Sequence, residues 1–147
     1  MKHSQSNVLI VICCSLSGLA LAHGGVKNPA VMARMTGMTD AAEATKILGD
    51  MALEKISFDA GLAQSAKTDL ITALMDVPIL FAAPENDPKS EALPMIWSDT
   101  QTFQDLADTS LNAAKAINTT SIESISAGIG TLGASCSACH RVFRQDQ

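Results

Sequence analysis

The chain has 147 residues, a normal length for one domain with its own core. It contains 10 Lys and Arg against 15 Asp and Glu, which gives a formal net charge of −5 at pH 7. Because an acidic surface repels phosphates, we expect no nucleic acid among the partners of this protein.

Residues 1–22 have the three parts of a secretory signal peptide. Lys2 gives a basic start, residues 8–12 form an apolar run, and an Ala-Leu-Ala site at 20–22 supplies the small residues for cleavage. The apolar run is too short for a confident transmembrane helix, although an uncleaved anchor is the alternative. We therefore predict a periplasmic protein whose mature domain spans 23–147 and which has no membrane partner after cleavage.

The first half of the mature chain predicts two helices. Asn28 followed by Pro29 is typical of a helix start, and helix A is expected over 29–54. Asp59 begins helix B, expected over 59–82, and Pro78 should kink its last turn. The expected inward positions are Val31, Met35, Met38, Ala42, Thr45, Gly49 and Ala52 on helix A, and Ala63, Ala66, Leu70, Leu74, Val77 and Phe81 on helix B.

The second half predicts two more helices after a long connection. Residues 83–94 are rich in proline and polar side chains, so we expect a loop there. Ser98 or Asp99 should cap helix C, expected over 99–117. Thr120 and Glu123 match a capping box for helix D. The expected inward positions are Phe103, Leu106, Ser110, Ala114 and Ile117 on helix C, and Ile122, Ile125, Ile129, Leu132, Cys136, Cys139 and Phe143 on helix D.

These patterns contain no strand periodicity. They predict an all-α protein, an antiparallel up-down-up-down four-helix bundle. The inward stripe of helix D includes both of its cysteines, so a group attached to them would be held inside the bundle near one end.

A C-x-x-C-H motif near the C-terminus carries the chemistry. Cys136, Cys139 and His140 have the spacing at which a c-type haem is attached covalently. On a helix all three share one face, so the two thiols can form thioethers while the imidazole reaches the iron from one side. Cys13 and Cys14 fall in the leader, which leaves no cysteines for a disulfide framework.

The cysteine pair has two other possible roles. A zinc half-site would need more ligands than the chain offers, and a thioredoxin-like redox pair would follow a strand in a βαβ pattern. Here the pair lies near the end of a long helical stretch. The sequence therefore predicts one covalent haem c with its iron.

The sequence resembles the cytochrome c-prime (c′) family over nearly the whole mature chain. The discriminating feature is C-x-x-C-H close to the C-terminus of a four-helix chain. Local matches in the same order support the resemblance: Leu48-Gly49-Asp50-Met51-Ala52, Phe58-Asp59-Ala60, Val77-Pro78-Ile79-Leu80-Phe81, Leu93-Pro94-Met95-Ile96-Trp97, and Cys136-x-x-Cys139-His140-x-x-x-Arg144.

The resemblance implies roles for individual residues. Cys136 and Cys139 would form the thioethers, His140 would be the proximal ligand, and Arg144 would lie beside it. Arg34 looks like the family arginine near a haem propionate, a role for which a charge-assisted hydrogen bond is suited. The competing interpretation of both arginines is a solvated helix face.

The opposite side of the iron is open in some members of the family and bound by a helix A methionine in others. Met38 lies four residues after Arg34 and ten before Leu48, which is the register of the ligating methionine in the low-spin branch. We therefore expect Met38 as sixth ligand, with Met35 as the fallback. A methionine stripe at helical spacing is otherwise typical of core packing.

A haem with His140 and Met38 as axial ligands would carry single electrons between redox partner proteins and would not be an enzyme. If the sixth position is vacant, the iron would be five-coordinate and would bind nitric oxide or carbon monoxide. Trp97 would form a wall of the haem pocket or pack as core between the long loop and the bundle. Many relatives are homodimers through helices A and B, so a homodimer is possible here.

Overall fold

The computed structural model describes residues 25–145, so the predicted signal peptide over 1–22 lies outside the described residues. Within them the chain forms five helices: α1 (Pro29–Ala52), α2 (Ala60–Leu80), α3 (Met95–Ser98), α4 (Thr100–Ala116) and α5 (Ile122–Phe143). Helices A to D of the sequence analysis correspond to α1, α2, α4 and α5. The one-turn helix α3 was not predicted.

The four long helices form the predicted antiparallel four-helix bundle. Helix α1 packs on α2 and α5, and α4 packs on the same two helices, so each long helix has two neighbours. None of the helices in the described part of the chain is both long and apolar enough to cross a membrane.

Short polar side chains begin the helices. Asn28 accepts hydrogen bonds from the amides of the first turn of α1, Asp59 caps α2, and Asp99 rather than Ser98 caps α4. The capping box predicted at Thr120 and Glu123 is wrong by one residue. Ser121 caps α5, because its hydroxyl accepts from the amide of Ser124 at 3.2 Å, while the Thr120 hydroxyl donates to Asn118.

The inward stripe predicted for helix A needs a correction. Its second half predicted Ala42, Thr45, Gly49 and Ala52, but the positions buried in the core are Ala44, Leu48 and Met51. Five positions of the predicted stripe instead line a cavity, namely Val31, Met35, Met38, Ala42 and Thr45. Helix α1 therefore has an apolar core face beside a second face that turns to the cavity.

The stripes of the other helices are largely confirmed. Buried positions include Ala63, Ala66, Leu70, Leu74 and Val77 on α2, Phe103, Ser110 and Ala114 on α4, and Ile125, Leu132 and Phe143 on α5. Pro78 lies inside the last turn of α2, which ends two residues later. The buried apolar side chains form one core cluster along the bundle.

The long loop between α2 and α4 is held by hydrogen bonds at two places, near its middle and near its C-terminal end. Asp87 accepts hydrogen bonds from the backbone amides of Lys27 at 2.8 Å and Asn28 at 3.0 Å, just before α1. Further along, the amide of Leu93 donates to the carbonyl of Phe143, and the amide of Gln145 donates to that of Glu91. The loop therefore joins the start of α1 to the end of α5, at the end of the bundle that carries the C-x-x-C-H motif.

Candidate haem site

The three motif residues lie in the last turns of α5 and line a common cavity. Helical spacing places Cys136, Cys139 and His140 on one face, as predicted, and both cysteines are free thiols that are partly buried. Because all three reach the same cavity, a single flat cofactor can be bound by both sulfurs and the imidazole.

The cavity has a volume of about 840 Å³ and is lined by residues of all four long helices. Its apolar lining includes Val31, Leu70, Leu74, Val77, Phe81, Ile96, Phe103, Ala107 and Phe143. Phe103 packs between two other aromatic rings, with ring centroids 5.4 Å from Phe81 and 5.3 Å from Phe143. An apolar space with thiol and imidazole groups on one wall fits a haem attached through two cysteines.

A zinc site at the cysteine pair would need further protein ligands, and the described residues offer no suitable group of them. Within residues 25–145 there is no group of three or more His, Cys, Asp or Glu side chains arranged to hold a metal ion. An iron at this place would need the nitrogen atoms of a porphyrin in addition to the protein ligands.

Burial shifts the pKa values of the three motif side chains. It raises the pKa of the Cys136 thiol, and burial together with the neighbouring Cys136 raises the pKa of the Cys139 thiol. Burial, with the Arg144 charge as the next cause, lowers the pKa of His140. Both thiols are therefore protonated near neutral pH, whereas His140 is neutral and keeps a lone pair for a metal.

The methionines of α1 divide into two groups. Met35 and Met38 both line the cavity, whereas Met32 and Met51 are not among its lining residues. The structure thus brings both candidate sixth ligands into the space that His140 also lines. Met38 is partly buried and packs against the hydrophobic core.

Arg34 is buried beside the cavity, and its role toward a haem propionate stays a prediction. It is only 3% exposed, so the solvated helix face is wrong. Its guanidinium donates to the carbonyls of Leu80 at 2.9 Å, Glu85 at 2.7 Å and Ala83. It also lies 5.1 Å from the ring centroids of both Phe81 and Trp97. Arg34 lines the cavity, yet in this structure its donors hold the end of α2 and the following loop.

Trp97 lies behind the cavity wall, and its contact with a haem stays a prediction. Its indole nitrogen donates to the carbonyl of Phe81 at 2.8 Å, and its ring packs on Arg34. Trp97 is not among the residues that line the cavity, although it touches two that are. It therefore packs between the long loop and the bundle and supports the cavity wall from behind.

Arg144 lines the cavity one turn beyond His140, at the C-cap of α5. Its side chain forms an exposed ion pair, in which Nε and Nη2 both lie 2.7 Å from Oε2 of Glu91. This ion pair links the end of the motif to the long loop.

Sequence reasoning missed several lining residues. Lys46, Lys89, Glu91, Ala107 and Ser110 line the cavity without having been predicted for the site. Lys46 lies one turn beyond Ala42 on the helix A stripe, so the helical period could have found it. No sequence pattern indicated Lys89 and Glu91, because a loop of irregular backbone has no period.

A family model described as Cytochrome C' matches residues 29–144. Cytochrome c-554 of Cereibacter sphaeroides is 39% identical over 106 residues, which cover 67% of this chain and 79% of that protein. Cytochrome c' of Rhodopseudomonas palustris is 30% identical over 131 residues, or 87% of each chain.

Solved structures are similar as well. Cytochrome c' from Rhodobacter sphaeroides superposes with a TM-score of 0.73 at 26% identity, over 80% of this chain and 96% of that one. The nitric oxide complex of a cytochrome c prime variant from Alcaligenes xylosoxidans has a TM-score of 0.72 at 23% identity, over 80% and 94%. The second likeness shows the fold alone.

Proposed function

Because the chain belongs to the cytochrome c′ family, we propose that it is a periplasmic carrier of single electrons whose haem iron is bound by His140 and Met38. The cofactor is one covalent haem c. The observation that carries the proposal is that Cys136, Cys139, His140 and Met38 all line one cavity.

Each residue has a distinct task in this proposal. Cys136 and Cys139 form the thioethers that fix the cofactor to α5. His140, whose pKa is lowered by burial and by the Arg144 charge, offers a neutral imidazole as the proximal ligand. Met38 offers a thioether from α1.

The bound haem supplies a one-electron Fe(III)/Fe(II) couple. A methionine ligand and apolar walls both favour the ferrous state and so raise the reduction potential. With His140 and Met38 in place neither face of the iron is open, which leaves electron transfer to redox partner proteins as the function. No catalytic side chain is needed for it.

The test is the absorption spectrum of the haem-loaded protein in both oxidation states. We expect low-spin bands and, in the ferric form, the far-red sulfur-to-iron charge-transfer band. Met38→Ala should abolish that band, whereas Met32→Ala should keep it, because Met32 lies on the same helix but does not line the cavity. If Met35→Ala abolishes the band instead, Met35 is the ligand. An unchanged spectrum in Met38→Ala would remove Met38 from the coordination sphere.

A five-coordinate haem that binds nitric oxide or carbon monoxide is the second candidate. It is favoured by the apolar lining, because side chains such as Leu70, Val77 and Phe81 offer the iron no ligand. A high-spin spectrum, with stoichiometric carbon monoxide binding by the ferrous wild-type protein, would support this function. Binding of carbon monoxide only after Met38→Ala would support the electron carrier.

A further inference from the structure

Haem brings negative charge into this cavity. Its two propionate groups end in carboxylates, which must stay in water or meet cations when the ring enters an apolar space. Four cationic side chains line the cavity, namely Arg34, Lys46, Lys89 and Arg144. The cations among them that are not already engaged are the candidates to receive a carboxylate.

Three of the four are engaged within the protein. The Arg34 guanidinium donates to the carbonyls of Leu80, Ala83 and Glu85. Lys46 pairs with Asp50 on the same helix, and Arg144 pairs with Glu91 through two nitrogen atoms. A propionate would have to displace one of these partners to bind any of the three.

Lys89 differs from the other three. Its ammonium group makes no hydrogen bond or ion pair in the part of the chain from 25 to 145, and the residue is exposed. Its backbone, in contrast, is fixed, because its amide donates to Oδ1 of Asp87 at 2.9 Å. The residue thus combines a free charge with a fixed position at the loop wall of the cavity.

Asp87 fixes the backbone of the loop that carries Lys89. It is 6% exposed, and its other oxygen accepts from the amides of Lys27 and Asn28 at the start of α1. One carboxylate thereby connects the helix that carries Met38 to the loop that carries Lys89. Three backbone donors occupy the Asp87 carboxylate, which reduces its capacity to neutralise the Lys89 ammonium.

We propose that Lys89 pairs with a haem propionate and that Asp87 is the positioning residue for it, while Arg34 serves the protein backbone. The proposal rests on the haem lying in this cavity, as in the proposed function, but it does not depend on which residue is the sixth ligand. The ligand class that Lys89 recognises is a carboxylate attached to the cofactor.

The experiment measures the midpoint reduction potential of the full-length, haem-loaded protein at low and high ionic strength. Lys89→Gln should lower the potential at low ionic strength, because a lost positive charge near the haem favours the ferric state. The shift should shrink at high ionic strength, since an exposed pair is screened by salt. Lys89→Arg should restore the wild-type potential.

Lys115→Gln is the matched control, since Lys115 is an exposed lysine near the end of α4 that does not line the cavity. A shift in Lys89→Gln no larger than that in Lys115→Gln at low ionic strength would overturn the proposal. The ferric spectra of the same samples test the axial ligands separately. A wild-type protein without the methionine band would refute Met38 ligation and leave the Lys89 comparison intact.

Discussion

The two ends of the bundle are built from the same four helices but are stabilised differently. At one end, around the α1–α2 and α4–α5 connections, Leu48, Met51, Ala63, Ile117 and Ile125 are all fully buried. At the other end the helices enclose the cavity, and charged groups bind the backbone there, Arg34 at three carbonyls and Asp87 at three amides.

This contrast shows how a small bundle keeps a space open for a cofactor. Interdigitated side chains close the packed end, because the buried apolar groups there fill the space between the helices. The cavity end cannot close in this way, since its side chains face the site of the cofactor. There the buried side chains of Arg34 and Asp87 stabilise the loop and the helix ends through hydrogen bonds to the backbone.

The largest effect should come from the packed end. Leu48→Ala removes a fully buried side chain and should lower the free energy of unfolding by about 2–5 kcal/mol. The haem spectrum should not change, because Leu48 does not line the cavity. Leu74→Ala is the paired variant, and it should alter the spectrum because Leu74 does line it. Chemical denaturation and absorption spectra measure both. A spectral change in Leu48→Ala would show that the two ends are coupled.

A smaller loss of stability is expected at the cavity end, where Arg34 binds three backbone carbonyls. Arg34→Met removes hydrogen bonds from a charged group to three carbonyls and should cost about 1.5–3 kcal/mol in urea unfolding. Arg34→Lys keeps the charge but loses the planar fork, so it should lie between wild type and Arg34→Met. If Arg34→Met shifts the reduction potential as much as Lys89→Gln, Arg34 also interacts with a propionate, as the sequence predicted.

The smallest effect should appear only in acid. Hydrogen bonds from the amides of Lys89, Lys27 and Asn28 hold the pKa of Asp87 below its ordinary value of 3.8. A depressed pKa in the folded state adds stability above the unfolded pKa, and this stability is lost as the pH falls through the folded pKa. Asp87→Asn should therefore be less stable than wild type at neutral pH. The difference in stability between the two proteins should become smaller below about pH 4.

Thermal unfolding between pH 3 and pH 7 measures this difference. Asp108→Asn is the control, because Asp108 is an exposed carboxylate on α4 outside the cavity lining. It should leave the pH profile of the wild type unchanged. If the difference in thermal stability between Asp87→Asn and wild type stays constant over this range, Asp87 does not contribute to the loss of stability in acid.

Sequence patterns predicted most of the fold because their causes are local. Asn28, Asp59 and Asp99 cap helices through side chains that reach amides two or three residues away. At the start of α5, Thr120 and Ser121 both carry hydroxyls that can cap, and the backbone conformation selects Ser121. The one-turn α3 gives no periodic signal and was missed.

The candidate site was predictable only in part. The C-x-x-C-H spacing is a property of one helix, so sequence alone indicated Cys136, Cys139 and His140. The partners of Arg34 lie 46 to 51 residues away, and the three amides bound to Asp87 come from two separate segments. No local pattern records such contacts.

Four amphipathic helices, most of their caps and the haem-attachment motif follow from the sequence, because helical periodicity, capping and motif spacing act within a few residues. Which face of α1 packs, which faces the cavity and which cations remain free depend on tertiary contacts. Those outcomes depend on where the loop over 82–94 and the other helices lie, since a side chain's burial and partners are set by groups distant in the chain.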